Sequence, residues 1–141
     1  MSLLDDTYRL DAQVGFLLRQ AQQRHTAIFA ERMAGGLTPT QFAALAKLHE
    51  LGAVTQNRLG RLTAMDAATI KGVVDRLKER GLARTRRDPD DGRRLLAELT
   101  SAGATLAAEA VAAGETITEE TLAPLNSAER KRFLELLEKI T

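Results

Sequence analysis

The stretch between Thr55 and Leu99 constrains the fold most, because its hydrophobic spacing changes there from a helical period to a short β-compatible one. Thr55 can cap a short helix that reaches about Leu62, and Asp66 can cap a second helix that ends at Gly81. Two short helices joined by a tight turn predict a helix-turn-helix.

Two segments that suit β-strands follow this pair of helices. They are residues 82–87 and 95–99, and between them lies the dense turn signal Asp88-Pro89-Asp90-Asp91-Gly92. A two-stranded hairpin directly after a helix-turn-helix is a winged arrangement. We therefore predict a mainly α-helical fold with a small β-hairpin wing.

Amphipathic segments flank this lobe on both sides. From about Tyr8 to Met33, apolar residues recur every three or four positions, which predicts a long helix. The start of a second helix is predicted by Thr38-Pro39-Thr40-Gln41. After residue 100 we expect an alanine-rich helix toward Leu122 and a last one capped by Asn126. The whole chain, 1–141, is predicted to be one domain, with the winged lobe at about 37–100 and flanking helices at about 8–34 and 101–141.

The charge is unevenly distributed, although the net charge is only +1. Residues 55–100 hold 11 basic and 7 acidic side chains, whereas residues 101–141 hold 4 and 7. This asymmetry predicts positive potential on the winged lobe, and a set of solvated charged helices is the alternative interpretation. The absence of cysteine excludes disulfides, thiolate metal sites and thiol redox sensing.

The second helix of the helix-turn-helix carries small, hydroxyl-bearing or cationic residues off its apolar stripe. With the cap, the candidate DNA contacts are Asp66, Ala67, Ala68, Thr69, Lys71 and Arg76. Small side chains permit close approach to a major groove about 12 Å wide, and the cations can meet phosphates or guanine acceptors. An ordinary exposed helix face is the other interpretation of this pattern.

The predicted hairpin concentrates arginine around its turn. Five arginines lie within eleven residues: Arg84, Arg86, Arg87, Arg93 and Arg94. An arginine at a β-tip can enter a narrow A·T-rich minor groove. We expect aspartates of the turn to order one or two of them and to leave Arg93 presented. Arg86, Arg93 and Arg94 therefore join the candidate DNA contacts.

Three motifs together resemble the MarR family of winged helix-turn-helix regulators. They are Leu37-Thr38-Pro39-Thr40-Gln41-Phe42, then Val74-Asp75-Arg76-Leu77-Lys78-Glu79-Arg80-Gly81-Leu82, then Asp88-Pro89-Asp90-Asp91-Gly92-Arg93-Arg94. The resemblance implies a homodimer formed by the first and last helices, a recognition helix at about 66–80, and Arg93 at the wing tip. It also implies a repressor that small, often aromatic, ligands release from palindromic operators.

A second resemblance concerns the effector. The segment Gln13-Val14-Gly15-Phe16-Leu17-Leu18-Arg19, with Gln23-Arg24-His25, is similar to regulators of aromatic-acid catabolism, including the branches that respond to hydroxynicotinate and to hydroxycinnamoyl-CoA. It implies a small aromatic or phenolic acid, or its CoA thioester, as effector.

Candidate effector contacts lie on the first predicted helix. His25 or Arg19 would meet a carboxylate or phenol between the dimerisation helices and the DNA-binding lobe, and Phe16, Phe29 and Met33 would form apolar walls. A core or interface histidine with a satisfied hydrogen bond is the alternative interpretation of His25.

Other functional classes have little support in the sequence. The two histidines are 24 residues apart and predict no metal site, and no nucleophile, nucleotide or cofactor motif occurs, so we predict neither an enzyme nor a bound cofactor. The N-terminus lacks an apolar signal region, which favours a cytoplasmic protein without a membrane partner. The expected partners are double-stranded DNA, a small effector and a second copy of the chain. A winged-helix module that binds only protein remains the alternative.

Overall fold

A computed structural model describes residues 7–141, which form six α-helices and one small sheet. The helices are α1 (Val14–Arg32), α2 (Pro39–Leu51), α3 (Gln56–Leu62), α4 (Ala67–Glu79), α5 (Ser101–Thr121) and α6 (Ser127–Lys139). The strands are β1 (Val54–Thr55), β2 (Ala83–Arg87) and β3 (Leu95–Leu99). All strand pairs are antiparallel, in the order β1-β3-β2. The predicted winged helix-turn-helix is confirmed.

The helix starts follow the capping residues. At α2, the Thr38 hydroxyl accepts a hydrogen bond from the Gln41 backbone N–H, and the Gln41 side chain accepts one from the Thr38 N–H. Asp66 caps α4 by accepting from the Thr69 N–H at 2.7 Å, and a second capping box opens α6 at Asn126. Each cap pairs a backbone donor that has no partner inside its helix, which fixes the first residue of that helix.

Two sequence predictions need correction. The first helix does not run from Tyr8, because residues 10–12 form a separate 3-10 turn and Gln13 has an extended backbone. The sheet has a third strand, β1, in which Val54 lies opposite Ala97 of β3. A strand of two residues shows no alternation in sequence and exists only because β3 lies beside it.

Contacts divide the chain into two compact units. The winged unit is Met33–Thr116, and the helical unit consists of the described residues up to Arg32 together with Ile117–Thr141. The winged unit extends past the predicted end of the lobe near residue 100 because Ala107 and Ala110 of α5 are buried in its core.

The core of the winged unit consists mainly of the apolar stripes of α2 and α4. Its largest fully buried side chains are Leu45, Leu48, Leu59, Ile70, Val74 and Leu77. Gly103 of α5 lies so close to Leu82 that a Cβ there would be 1.9 Å from the Leu82 carbonyl oxygen. This close approach sets the distance between the first turn of α5 and the segment that enters β2.

The helical unit buries Phe29, Ile117 and Leu122 but leaves many large apolar side chains exposed. These exposed residues include Val14, Leu17, Leu18, Phe133, Leu134, Leu136 and Ile140. Most of them line one surface of the unit, and contiguous exposed apolar side chains are typical of an interaction site. None of the described helices is both long and apolar enough to cross a membrane.

Candidate nucleic-acid interface

The side of α4 opposite its buried stripe presents the residues that the sequence singled out. Asp66, Ala67, Ala68, Thr69, Lys71 and Arg76 are all exposed. Ile70, Val74 and Leu77 anchor the other side of α4 in the core. The first turn of α4 therefore offers a narrow surface of small side chains, with two cations further along the helix, as a helix entering a major groove requires.

Asp66 has a structural role at the start of α4. The hydrogen bond that its carboxylate accepts from the Thr69 backbone N–H lowers the pKa of Asp66 below the ordinary value. The carboxylate is therefore ionised at neutral pH, and its negative charge interacts favourably with the positive end of the α4 helix dipole. A contact from Asp66 to DNA stays a prediction.

Lys71 is paired along the helix with an acidic residue. Its Nζ donates to Oδ2 of Asp75 at 2.8 Å, although the Lys71 side chain is 67% exposed. The same hydrogen bond raises the pKa of Lys71 and lowers that of Asp75, so both groups are charged at neutral pH. Any phosphate that binds Lys71 must therefore compete with Asp75.

The wing tip presents one arginine and holds another. Arg93 Nε donates to Oδ1 of Asp91 at 3.2 Å, and its side chain is 92% exposed. Arg94 Nη2 lies 3.3 Å from Oδ2 of the buried Asp88, whose Oδ1 accepts a hydrogen bond from the Asp90 N–H. The sequence predicts both features: an aspartate that orders one arginine, and a separate Arg93 that is exposed.

Arg86 lies in a small ion-pair cluster on the wing sheet. Glu98 of β3 accepts hydrogen bonds from Nε of Arg86 and from Nε of Arg84 on β2. Arg84 and Glu98 are absent from the predicted contacts, as is Asp75. These three residues could have been found by searching for pairs of opposite charge. Asp75 pairs with Lys71 at i,i+4 on α4, and Glu98 pairs with arginines across β2 and β3.

The predicted effector residues are distributed over both units. Arg19 lies over the Phe16 ring at 5.6 Å from its centroid. His25 is half-buried, with Nδ1 2.9 Å from the Thr121 hydroxyl oxygen, and its ring lies 6.5 Å from that of the buried Phe29. The fifth residue, Met33, packs against the core of the winged unit.

A cavity of about 330 Å³ lies within the helical unit. Its lining is Leu18, Ala21, Gln22, His25, Thr118, Thr121, Leu122, Phe133, Leu134 and Leu137. Only His25 of the five predicted effector residues belongs to this lining, so a pocket shared by all five stays a prediction. No group of three His, Asp or Glu residues within residues 7–141 is placed to hold a metal ion.

Comparison with known proteins gives consistent matches. A model of the MarR family matches residues 35–94. The HTH-type transcriptional repressor NicR of Pseudomonas putida is 43% identical over 97% of this chain and 88% of its own length.

Solved structures agree with this match. A probable transcriptional regulator from Pseudomonas aeruginosa superposes with a TM-score of 0.91 at 54% identity, covering 94% of this chain and all of that one. BpsR of Bordetella bronchiseptica, whose DNA binding is regulated by 6-hydroxynicotinic acid, gives 0.89 at 42% identity over 95% of this chain and 96% of its own.

Proposed function

The chain belongs to the MarR family of transcriptional regulators, and from this premise we propose that it is a dimeric, ligand-responsive repressor of operator DNA. In this proposal it carries out no catalysis and acts on chromosomal DNA in the cytoplasm. The observation that carries the proposal is the nearly fully exposed Arg93 at the tip of a wing in the same unit as the exposed face of α4.

The proposed complex uses two parts of the winged unit. Helix α4 enters a major groove, and Arg93 reaches into the adjacent minor groove. Two copies of the chain, joined through the exposed apolar residues of the helical unit, place two α4 helices about one helical turn apart on a pseudo-palindrome. Effector binding then favours a dimer whose α4 helices no longer match this spacing.

Salt-dependent DNA binding tests this proposal against a module that binds only protein. We expect the chain to bind mixed-sequence duplex DNA with an affinity that falls steeply as salt is raised, because phosphate contacts release counterions. It should also enrich a pseudo-palindromic duplex, hereafter the selected duplex, from a random-sequence pool. An absence of both results favours the protein-binding module.

Replacing Asp75 with asparagine should tighten binding to the mixed-sequence duplex about threefold. The change removes the carboxylate that holds Lys71, so that the ammonium group is free to meet a phosphate. The plot of log affinity against log salt should steepen by about one. Glu50→Gln is the matched control, because it frees Lys47 from a similar pair on a different helix, α2. An unchanged slope for Asp75→Asn means that Lys71 meets no phosphate.

The effector in this proposal is a small aromatic or phenolic acid or its CoA thioester. Support comes from BpsR, which is regulated by 6-hydroxynicotinic acid, and from the half-buried His25 in the lining of an otherwise mostly apolar cavity. A site of this kind suits an aromatic ring with one polar substituent.

Replacing His25 with alanine should weaken binding of the active aromatic acid about tenfold, because one hydrogen bond to the ligand is lost. The measurement is a titration of 6-hydroxynicotinic acid and related aromatic acids by calorimetry and by release of the selected duplex. His49→Ala serves as the control, since His49 lies exposed in the winged unit. Unchanged affinity for the active acid removes His25 from the site.

A further inference from the structure

The solvent face of the wing sheet carries one carboxylate between two arginines. Arg84 lies directly opposite Glu98 in the register of β2 and β3, and Arg86 is two residues further along β2 on the same face. Glu98 Oε1 accepts from Arg84 Nε at 3.0 Å and from Arg86 Nε at 3.1 Å. The Glu98 side chain is only 21% exposed, whereas those of Arg84 and Arg86 are 65% and 48% exposed. A single carboxylate oxygen therefore fixes two exposed guanidinium groups.

The geometry of the hydrogen bonds leaves the outer nitrogens of both arginines available. Only Nε of each side chain is used, so the terminal amino groups of Arg84 and Arg86 have no protein partner among residues 7–141. Because both Nε atoms bond the same oxygen, at 3.0 and 3.1 Å, they lie within about 6 Å of each other. Two guanidinium groups held this close, with a local net charge of +1, suit two neighbouring phosphates of one nucleic-acid strand.

The ion pairs are too exposed to be explained by a gain in stability, because pairs of this kind contribute little to folding. The hydrogen bond from Arg84 holds the pKa of Glu98 below its ordinary value, so the carboxylate is ionised at neutral pH. An ionised carboxylate beside a polyanion also repels it. Its presence here therefore requires a benefit that offsets the repulsion.

We propose that Arg84 and Arg86 bind neighbouring phosphates of a DNA strand and that Glu98 is the positioning residue for both. The proposal rests on the DNA-binding function proposed above. Two long side chains that are ordered before binding lose less conformational freedom when the complex forms. This smaller loss of conformational freedom favours the complex in which the wing is held at one position on the selected duplex. It has no such effect when the protein slides along mixed-sequence DNA.

Glu98→Gln tests the proposal through the sign of its effect. The substitution raises the formal charge by one, so charge alone predicts tighter binding to every duplex. The positioning role predicts instead that binding to the selected duplex weakens about tenfold, while binding to the mixed-sequence duplex does not weaken. Glu109→Gln is the matched control, because Glu109 is exposed on α5 in the same unit and has no ion pair among the described residues.

Two further variants separate geometry from charge and from folding. Glu98→Asp keeps the charge but shortens the side chain by one methylene group, and we expect it to weaken binding to the selected duplex as well. When Arg84 and Arg86 are both replaced by alanine, a further Glu98→Gln change should have no effect on that binding, because the groups through which it acts are gone. Circular dichroism and thermal unfolding of each variant report whether the fold is retained.

The outcomes distinguish this proposal from the one on which it rests. If the wild-type chain binds neither duplex, the DNA-binding function fails. If the wild-type chain binds and Glu98→Gln matches Glu109→Gln, or tightens binding to the selected duplex, the positioning role of Glu98 is wrong. The positioning role is also wrong if Glu98→Gln still weakens binding to the selected duplex when Arg84 and Arg86 have both been replaced by alanine.

Discussion

Replacing Arg93 with alanine is expected to weaken binding to the selected duplex about 30-fold, which corresponds to about 2 kcal/mol. Arg93 combines nearly full exposure with a defined direction, since Asp91 accepts hydrogen bonds from both its Nε and its backbone N–H. The Arg93 side chain also holds the pKa of Asp91 below its ordinary value, so the carboxylate that orients it is ionised at neutral pH. A guanidinium oriented in this way is suited to the negative potential of a narrow minor groove.

The measurement for Arg93→Ala is a binding isotherm on the selected duplex at one fixed salt concentration. Arg132→Ala removes the same charge from an exposed residue of α6 in the helical unit, and should change affinity little. Helix content and dimerisation should be the same for both variants. Unaltered DNA binding by Arg93→Ala means that the wing does not contact DNA as proposed.

Replacing Gly103 with alanine is expected to lower the free energy of unfolding by about 3 kcal/mol. The new Cβ would lie 1.9 Å from the Leu82 carbonyl oxygen and 2.9 Å from its carbonyl carbon, so backbone atoms must move. The same oxygen accepts a hydrogen bond from the Thr100 N–H at 3.1 Å, which ties it to the residue before α5. A shift of either segment therefore disturbs a contact that the other depends on.

Thermal unfolding at a fixed protein concentration measures this effect, and the midpoint should fall by about 10 °C. Gly72→Ala is the control, because a Cβ added at Gly72 would meet no atom within 4 Å and alanine favours a helix interior. That variant should be stabilised by about 0.5–1 kcal/mol. A Gly103→Ala midpoint equal to that of the wild type means that α5 does not approach Leu82 as closely as the structure shows.

Local chemistry explains why much of the fold can be predicted from the sequence. The cap residues Thr38, Asp66 and Asn126 are each followed three residues later by a backbone donor that they pair, and each helix begins where they predict. The wing turn follows in the same way from Asp88 and the residues after it. Features set by distant neighbours are not visible locally, and β1 is one, since its two residues become a strand only by pairing with β3.

The residues of the candidate site also separate into those that the local sequence predicts and those that depend on distant neighbours. The cations of α4 and of the wing tip are evident from composition and spacing. The carboxylates that direct them differ in this respect, because Asp75 follows from its i,i+4 spacing to Lys71, whereas Glu98 acquires its role only from strand register. His25 is placed on the inner stripe of its helix from periodicity alone, but its partner Thr121 is 96 residues away, and sequence spacing gives no indication of that contact.

The division into units has a consequence for the order of folding during synthesis. The winged unit is one continuous stretch, Met33–Thr116, so all of its parts have been made before residues 117–141. The helical unit combines α1 with residues 117–141, so the contacts of α1 within this unit can form only after those later residues have been made. Because domains fold as units while the chain is being made, the winged unit is able to fold first. The contact between His25 of α1 and Thr121 then forms only after the winged unit has been made.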